Sequence, residues 1–138
     1  MVTHGVILYE PFGGLCAALD AVLRNGIRVH RYYFSDISKP AQLVAKHRVH
    51  QLALQYPHQL PQTAVAHWDA LPMDVTTITS QHLHAASGCQ PQQWLVVAGP
   101  ECKDFSPAGY NLGWDGKHSH TLLACVKLIG YLQQLHRS

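Results

Sequence analysis

Charge is scarce in this chain. Asp, Glu, Lys and Arg together make up 13% of its 138 residues, against about 25% in an ordinary soluble domain. Ten basic residues face eight acidic ones, a net charge of +2 at pH 7. That excludes a strong electrostatic grip on nucleic acid by this chain unaided, which takes a pronounced basic excess. Long apolar runs are missing too: nothing approaches the roughly 20 residues of a membrane span. Met1-Val2-Thr3-His4-Gly5 has neither the basic start nor the apolar run of a signal peptide. Cysteine is limited to Cys16, Cys89, Cys102 and Cys125, too scattered for a disulfide framework, and no two form a C-x-x-C pair for zinc. An intracellular, reduced protein without a membrane anchor is the expectation, and no metal site is read from the cysteines.

What is present reads as a folded domain. Hydrophobic residues are 47% of the chain, and its length suits a single domain over residues 1–138. Gln, His, Ser and Thr must supply much of the polar surface. The eleven histidines make its charge, and any anion binding, depend on pH.

Short apolar runs alternate with helical stretches. Val6-Ile7-Leu8-Tyr9 reads as a buried strand that Pro11 and Gly13-Gly14 terminate. Leu15, Ala18, Leu19, Val22 and Leu23 then recur on one helical face, and Asn25-Gly26 stops that helix. The aromatic run 29–34 predicts a second strand. Ser38 predicts an N-cap, with Lys39-Pro40 in the first turn of a helix over 39–54. Residues 63–67 read as a short third strand, and Thr79 or Ser80 caps a short helix over 82–86. Trp94-Leu95-Val96-Val97-Ala98 gives the clearest signal of a buried strand. A last helix, 120–135, carries Leu122, Cys125, Val126, Ile129 and Leu132 on its apolar side. About four strand–helix repeats mean an α/β domain with a parallel sheet.

Three strand ends carry the polar chemistry. Gly13 and Gly14 would let a ligand approach the backbone at a helix N-terminus. Asp36 follows the second strand about 20 residues further on, the distance of an acid that holds ribose hydroxyls. Asp69 follows the expected third strand and faces the same crevice. Together these positions suit an adenosine-like ligand. Cys102 lies just past the fourth strand in a loop rich in glycine, where a nucleophile is presented. Cys16 and Cys125 fall in helices and read as packing.

The string Gly99-Pro100-Glu101-Cys102-x-x-Phe105-Ser106-x-Ala108-Gly109 resembles the catalytic loop of DNA cytosine-5 methyltransferases, usually Gly-(Pro/Ser)-Pro-Cys-x-x-(Phe/Leu)-Ser. Leu8-Tyr9-Glu10-Pro11-Phe12-Gly13-Gly14-Leu15 is similar to that family's Leu-Phe-x-Gly-x-Gly-Gly-Leu. Arg31-Tyr32-Tyr33-Phe34-Ser35-Asp36 resembles the Arg-Tyr-x-Ala-Ser-Glu of its de novo-type members. The resemblance spans about residues 5–136. It implies a partial Rossmann-like fold, S-adenosylmethionine (SAM) as cofactor and DNA cytosine as substrate. Tyr9, Glu10, Pro11, Phe12, Gly13, Gly14 and Leu15 would line the methionine end, and Pro100 would also bind the cofactor. Asp36 would take the ribose hydroxyls and Ile37 would pack on adenine. Asp69, Ala70 and Leu71 would read the adenine edge. Cys102 would attack C6 of a flipped-out cytosine, making C5 nucleophilic toward the SAM methyl group. Such a protein is nuclear in a eukaryote and otherwise cytoplasmic.

Three departures qualify what the resemblance implies. Pro11 replaces a glycine of the turn and offers no N–H. Glu101 replaces the proline before Cys102, and a neighbouring carboxylate raises a thiol pKa. The family's Glu-Asn-Val segment, arginine motif and target-recognition region do not follow, so the expectation is a half-domain, incomplete or inactive alone. Its fourth strand would then be left with an open edge, inviting self-association or a complementing chain. The alternative is a non-catalytic, degenerate module that binds SAM or a partner.

Overall fold

The strand predicted at residues 6–9 forms as β1 (Val6–Pro11) and lies at the centre of a three-stranded parallel sheet of order β2-β1-β3. The computed structural model describes residues 5–88, 93–98 and 119–137. In chain order after β1 come α1 (Ala17–Arg24), β2 (Val29–Ser35), α2 (Lys39–Gln55) and α3 (Gln62–Val65). A 3-10 turn (Val75–Thr77), α4 (Ser80–Ser87), β3 (Gln93–Val96) and α5 (Ser119–Arg137) follow. Paired on both edges, β1 buries residues 7–11. Leu8 sits opposite Tyr32 and Leu95, and Tyr9 opposite Tyr33 and Val96.

Period-two alternation sends Leu8, Tyr32 and Phe34 to one face and Ile7, Tyr9 and Tyr33 to the other. Leu19 and Leu23 of α1, with Val49 and Leu52 of α2, pack on the first face. Leu83 of α4, with Leu128 and Leu132 of α5, packs on the second. The result is an α/β fold with helices on both sides of a small open sheet. The chain leaves β1 toward β2 and later returns to pair β3 on the opposite side of β1. Strand order therefore reverses at β1. In a parallel sheet such a reversal opens a crevice outside the C-terminal ends of the two strands that flank it.

Local chemistry sets most element boundaries. Ser38 Oγ accepts from the Ala41 N–H at 3.3 Å, with Pro40 in the first turn of α2. Thr79 caps α4 through a reciprocal box, its hydroxyl accepting from the His82 N–H while His82 Nδ1 accepts from the Thr79 N–H. Gly26, at φ 77°, closes the end of α1 as expected.

Several expectations fail. The third strand expected at 63–67 is the single-turn helix α3, so three strands stand among the described residues where about four were expected. Ala64 and Val65 bury consecutive side chains, which a strand of period two cannot do with one face covered. One hydrogen bond, Phe34 N–H to Trp68 O at 2.9 Å, still ties the following segment to β2. Trp94, Leu95 and Val96 are half-buried, because among the described residues β3 is an edge. On α5, Cys125, Leu128 and Leu132 are buried, while Val126 and Ile129 of the expected apolar face are about half exposed.

One carboxylate lies inside the first core. Glu10 is 4% exposed; its Oε1 accepts from the Leu19 N–H at 3.1 Å and the Tyr32 hydroxyl at 2.9 Å, and its Oε2 from the Ala18 N–H at 3.2 Å. Cys16, at the N-cap, gives α1 no side-chain cap, so Glu10 satisfies the first turn from below. Burial raises the Glu10 carboxyl above its ordinary value, and the bonds from Tyr32, Ala18 and Leu19 offset part of that. The folded state thus binds this proton more tightly than the unfolded chain. The resulting stability is full below the ordinary glutamate range and is lost as pH rises through the raised value. Urea unfolding of wild type and Glu10→Gln from acid to neutral pH should show this as a wild-type advantage that shrinks with rising pH. A constant difference would contradict it. Glu10→Ala should lose about 2–4 kcal/mol, by leaving buried donors unpaired.

Candidate functional site

The C-terminal end of β1 leads into a turn of unusual backbone. Phe12, Gly14 and Cys16 alternate in the left-handed region, at φ 58°, 54° and 60°. Two of the three carry side chains, which disfavour that region by about 1–2 kcal/mol each. One tertiary and one local bond hold it: the Gly13 N–H donates to Ser35 O at 3.2 Å, and the Cys16 N–H to Gly13 O within the turn at 3.0 Å. The Gly14 N–H donates to Asp36 Oδ2 at 3.1 Å. Asp36 Oδ1 accepts from the Ser38 N–H at 2.9 Å, fixing the carboxylate between the turn and the start of α2.

The two glycines differ in role. A Cβ on Gly13 would lie 2.5 Å from the Phe34 ring, so this glycine serves packing. A Cβ on Gly14 would meet nothing within 4 Å, and only its positive φ favours glycine there. Gly14 is therefore the one of the pair open to an approaching ligand.

The predicted cofactor residues divide in the same way. Tyr9 and Glu10 point into the two cores, and Pro11 is buried at the end of β1. The Tyr9 hydroxyl donates to Ser35 Oγ at 2.8 Å, which donates to Pro72 O at 2.7 Å. Burial raises the Tyr9 hydroxyl well above its ordinary value, so it stays protonated. Phe12 is half-buried against the second core. Leu15 and Ile37, by contrast, expose 68% and 73% of their surface around the half-buried Asp36. Leu15 lies outside the helix and off its buried face, contrary to the periodicity, because the left-handed Cys16 starts α1 only at Ala17. Asp69 and Ala70 are exposed and Leu71 is buried. Pro100 and Cys102 lie outside the described residues.

Cys16 and Cys125 are buried, as expected of packing residues. Desolvation pushes the Cys16 thiol up to about 11, and burial raises Cys125 as well. Burial thus disfavours the thiolate at both positions.

Two cavities among the described residues lie away from the glycine turn. One of about 340 Å³ lies between the 3-10 turn and α5, walled by Val75, Ile78, Leu123 and Tyr131. Another, of about 360 Å³, is lined by Arg31, Tyr33, His67, Ala70, Leu71 and His82 among others. In the sequence Arg31 stands out only as the first residue of the motif over 31–36, and the abundance of histidine is the signal that points to His67 and His82. Among the described residues no group of three or more His, Cys, Asp and Glu could hold a metal ion. No helix among them is long and apolar enough to cross a membrane. No protein-family model and no curated protein matches the chain.

Two measurements check this description. Gly13→Ala should cost about 1–3 kcal/mol through overlap with Phe34, and Gly14→Ala about 1 kcal/mol through its φ; equal losses in chemical denaturation would contradict the division. A thiol reagent at pH 7 should leave Cys16 and Cys125 unmodified in the native protein and reach both in urea, as peptide mass mapping would show.

Proposed function

We propose that the chain is the cofactor-binding and nucleophile-bearing part of a SAM-dependent methyltransferase of the DNA cytosine-5 type. The observation that carries this reading is the hydrogen bond from the Gly14 N–H to Asp36 at the point where strand order reverses. It joins the glycine turn after β1 to the acid after β2, the two elements a nucleoside cofactor requires side by side. The residues present fit such a ligand. Asp36 uses one lone pair on each oxygen for Gly14 and Ser38, and the others remain for ribose hydroxyls. Ile37 offers an exposed apolar surface for adenine, with Asp69 and Ala70 available to its edge.

When bound, SAM supplies an electrophilic methyl group. Cys102, by its motif, would form a bond to C6 of cytosine, moving the electron pair of the 5,6 double bond to C5 and so making C5 nucleophilic toward the methyl group that the cofactor would supply. Loss of the C5 proton to a base then restores the double bond and expels the thiolate. DNA is the substrate on this reading, and an intracellular location goes with it. The β3 edge, unpaired among the described residues, is where a second copy or a complementing chain would add strands.

The second reading is a non-catalytic module that binds SAM or a partner. Glu10 favours it: this carboxylate already takes the Ala18 and Leu19 N–H groups, which an anionic end of a ligand would otherwise use. A duplex containing 5-fluorocytosine separates the two readings, because it traps an attacking thiol as a stable adduct. With SAM, and with a chain that pairs along β3, the catalytic reading predicts a DNA-linked protein band that Cys102→Ser abolishes. SAM binding with no adduct under any pairing would assign the module.

A further inference from the structure

The cavity of about 360 Å³ lies on the second face of the sheet, under α4. Arg31, which lines it, pairs with Ile7 near the start of β1, whereas the glycine turn follows the far end of that strand. Three nitrogen-bearing side chains converge on it from three segments: Arg31 from β2, His67 from the segment after α3, and His82 from α4. Among the described residues no carboxylate lines it. Among the described residues both salt bridges belong to Asp20, so neither one neutralises Arg31.

The donors are set by their surroundings. The Arg31 guanidinium acts on the Tyr33 hydroxyl, offsetting part of the upward shift that burial gives its pKa. That hydroxyl donates its own proton to Ala86 O at 2.9 Å, so it is free toward Arg31 only as an acceptor. His82 Nδ1 accepts from the Thr79 N–H at 2.9 Å, which leaves Nε2 to carry the proton of the neutral ring. A guanidinium fork and two imidazoles outnumber what the two oxygens of a carboxylate need, and suit the three of a phosphate monoester. The remaining wall is apolar, made by Leu71, Ala85, Ala86 and the Tyr33 ring, which stacks on Trp94 at 6.0 Å. Its volume is at the lower end of the range for small-molecule sites.

We propose that this cavity is a second binding site, for a small organic phosphate. Arg31, His67 and His82 hold the phosphate, and its apolar body lies against Tyr33, Leu71 and Ala86. The site goes beyond the methyltransferase reading and does not depend on it. Ala70 and Leu71, given to the adenine edge by resemblance, also border this cavity.

Phenyl phosphate, inorganic phosphate and phenol are suitable probes, titrated into the full chain labelled with nitrogen-15. The Trp94 indole N–H, which donates to Ser87 beside the cavity, is the reporter. Phenyl phosphate should shift that signal to saturation and bind more tightly than inorganic phosphate, while phenol leaves it in place. Arg31→Gln should weaken phenyl phosphate by about tenfold or more. His82→Gln keeps a side-chain acceptor for the Thr79 N–H, so α4 should persist while affinity falls. Asp36→Ala, at the other end of the sheet, should leave the affinity unchanged. A Trp94 signal indifferent to phenyl phosphate, or equal affinity in Arg31→Gln, overturns the proposal. So does a shift produced by duplex DNA and not by phenyl phosphate, which would make this a surface contact for nucleic acid.

Discussion

The buried carboxylate of Glu10 is the constraint on which the arrangement around the glycine turn rests. It stands on the central strand, takes a hydroxyl from β2 and two amide protons from α1, and so fixes three elements with one side chain. Without it, the first turn of α1 would present unsatisfied N–H groups to an apolar core. Its position explains why α1 begins where it does. It also explains how residues 12–16 tolerate two side-chain-bearing positions at positive φ, since both ends of the turn are anchored. The same carboxylate limits what the turn can offer a ligand, because it answers the helix N-terminus from within.

Outside that anchor the turn is arranged for contact. Gly13 is pressed on Phe34, Gly14 presents its open side, and Asp36 links the Gly14 amide to the N-terminal turn of α2. Leu15 and Ile37, both strongly exposed, stand on either side of this link in sequence. A carboxylate flanked by uncovered apolar side chains, at a reversal of strand order, is what a nucleoside requires: polar anchoring for the sugar and a dry surface for the base. The fold alone says less, since open parallel sheets serve many ligands.

Much of the framework was legible in the sequence, because its signals are local. Ser38 and Thr79 announce helix starts through hydroxyl caps, and Gly26 announces a stop through its φ. The aromatic and apolar runs of β1 and β2 read as strands for the same reason. What failed depends on the third dimension. Residues 63–67 look extended, yet Ala64 and Val65 both face inward and close into a turn. Leu15 fits the helical period, but a left-handed Cys16 intervenes, and periodicity does not register that. Val126 and Ile129 belong to an apolar face in projection but lie off the contact with the sheet.

The site was legible in part for a similar reason. A carboxylate at a strand end reads alike whether it faces a ligand or caps a helix; Asp36 and Glu10 take different sides of that choice, and only the fold separates them. Arg31, His67 and His82 meet from separate segments, so no spacing in the chain announces them. The central claim, that the link between Gly14 and Asp36 marks a SAM site, is tested most directly by calorimetric titration of the purified chain with SAM. A SAM site there binds at about micromolar strength, and Asp36→Ala abolishes or sharply weakens that binding. Absence of heat in the wild type, or equal affinity in the variant, would contradict the claim.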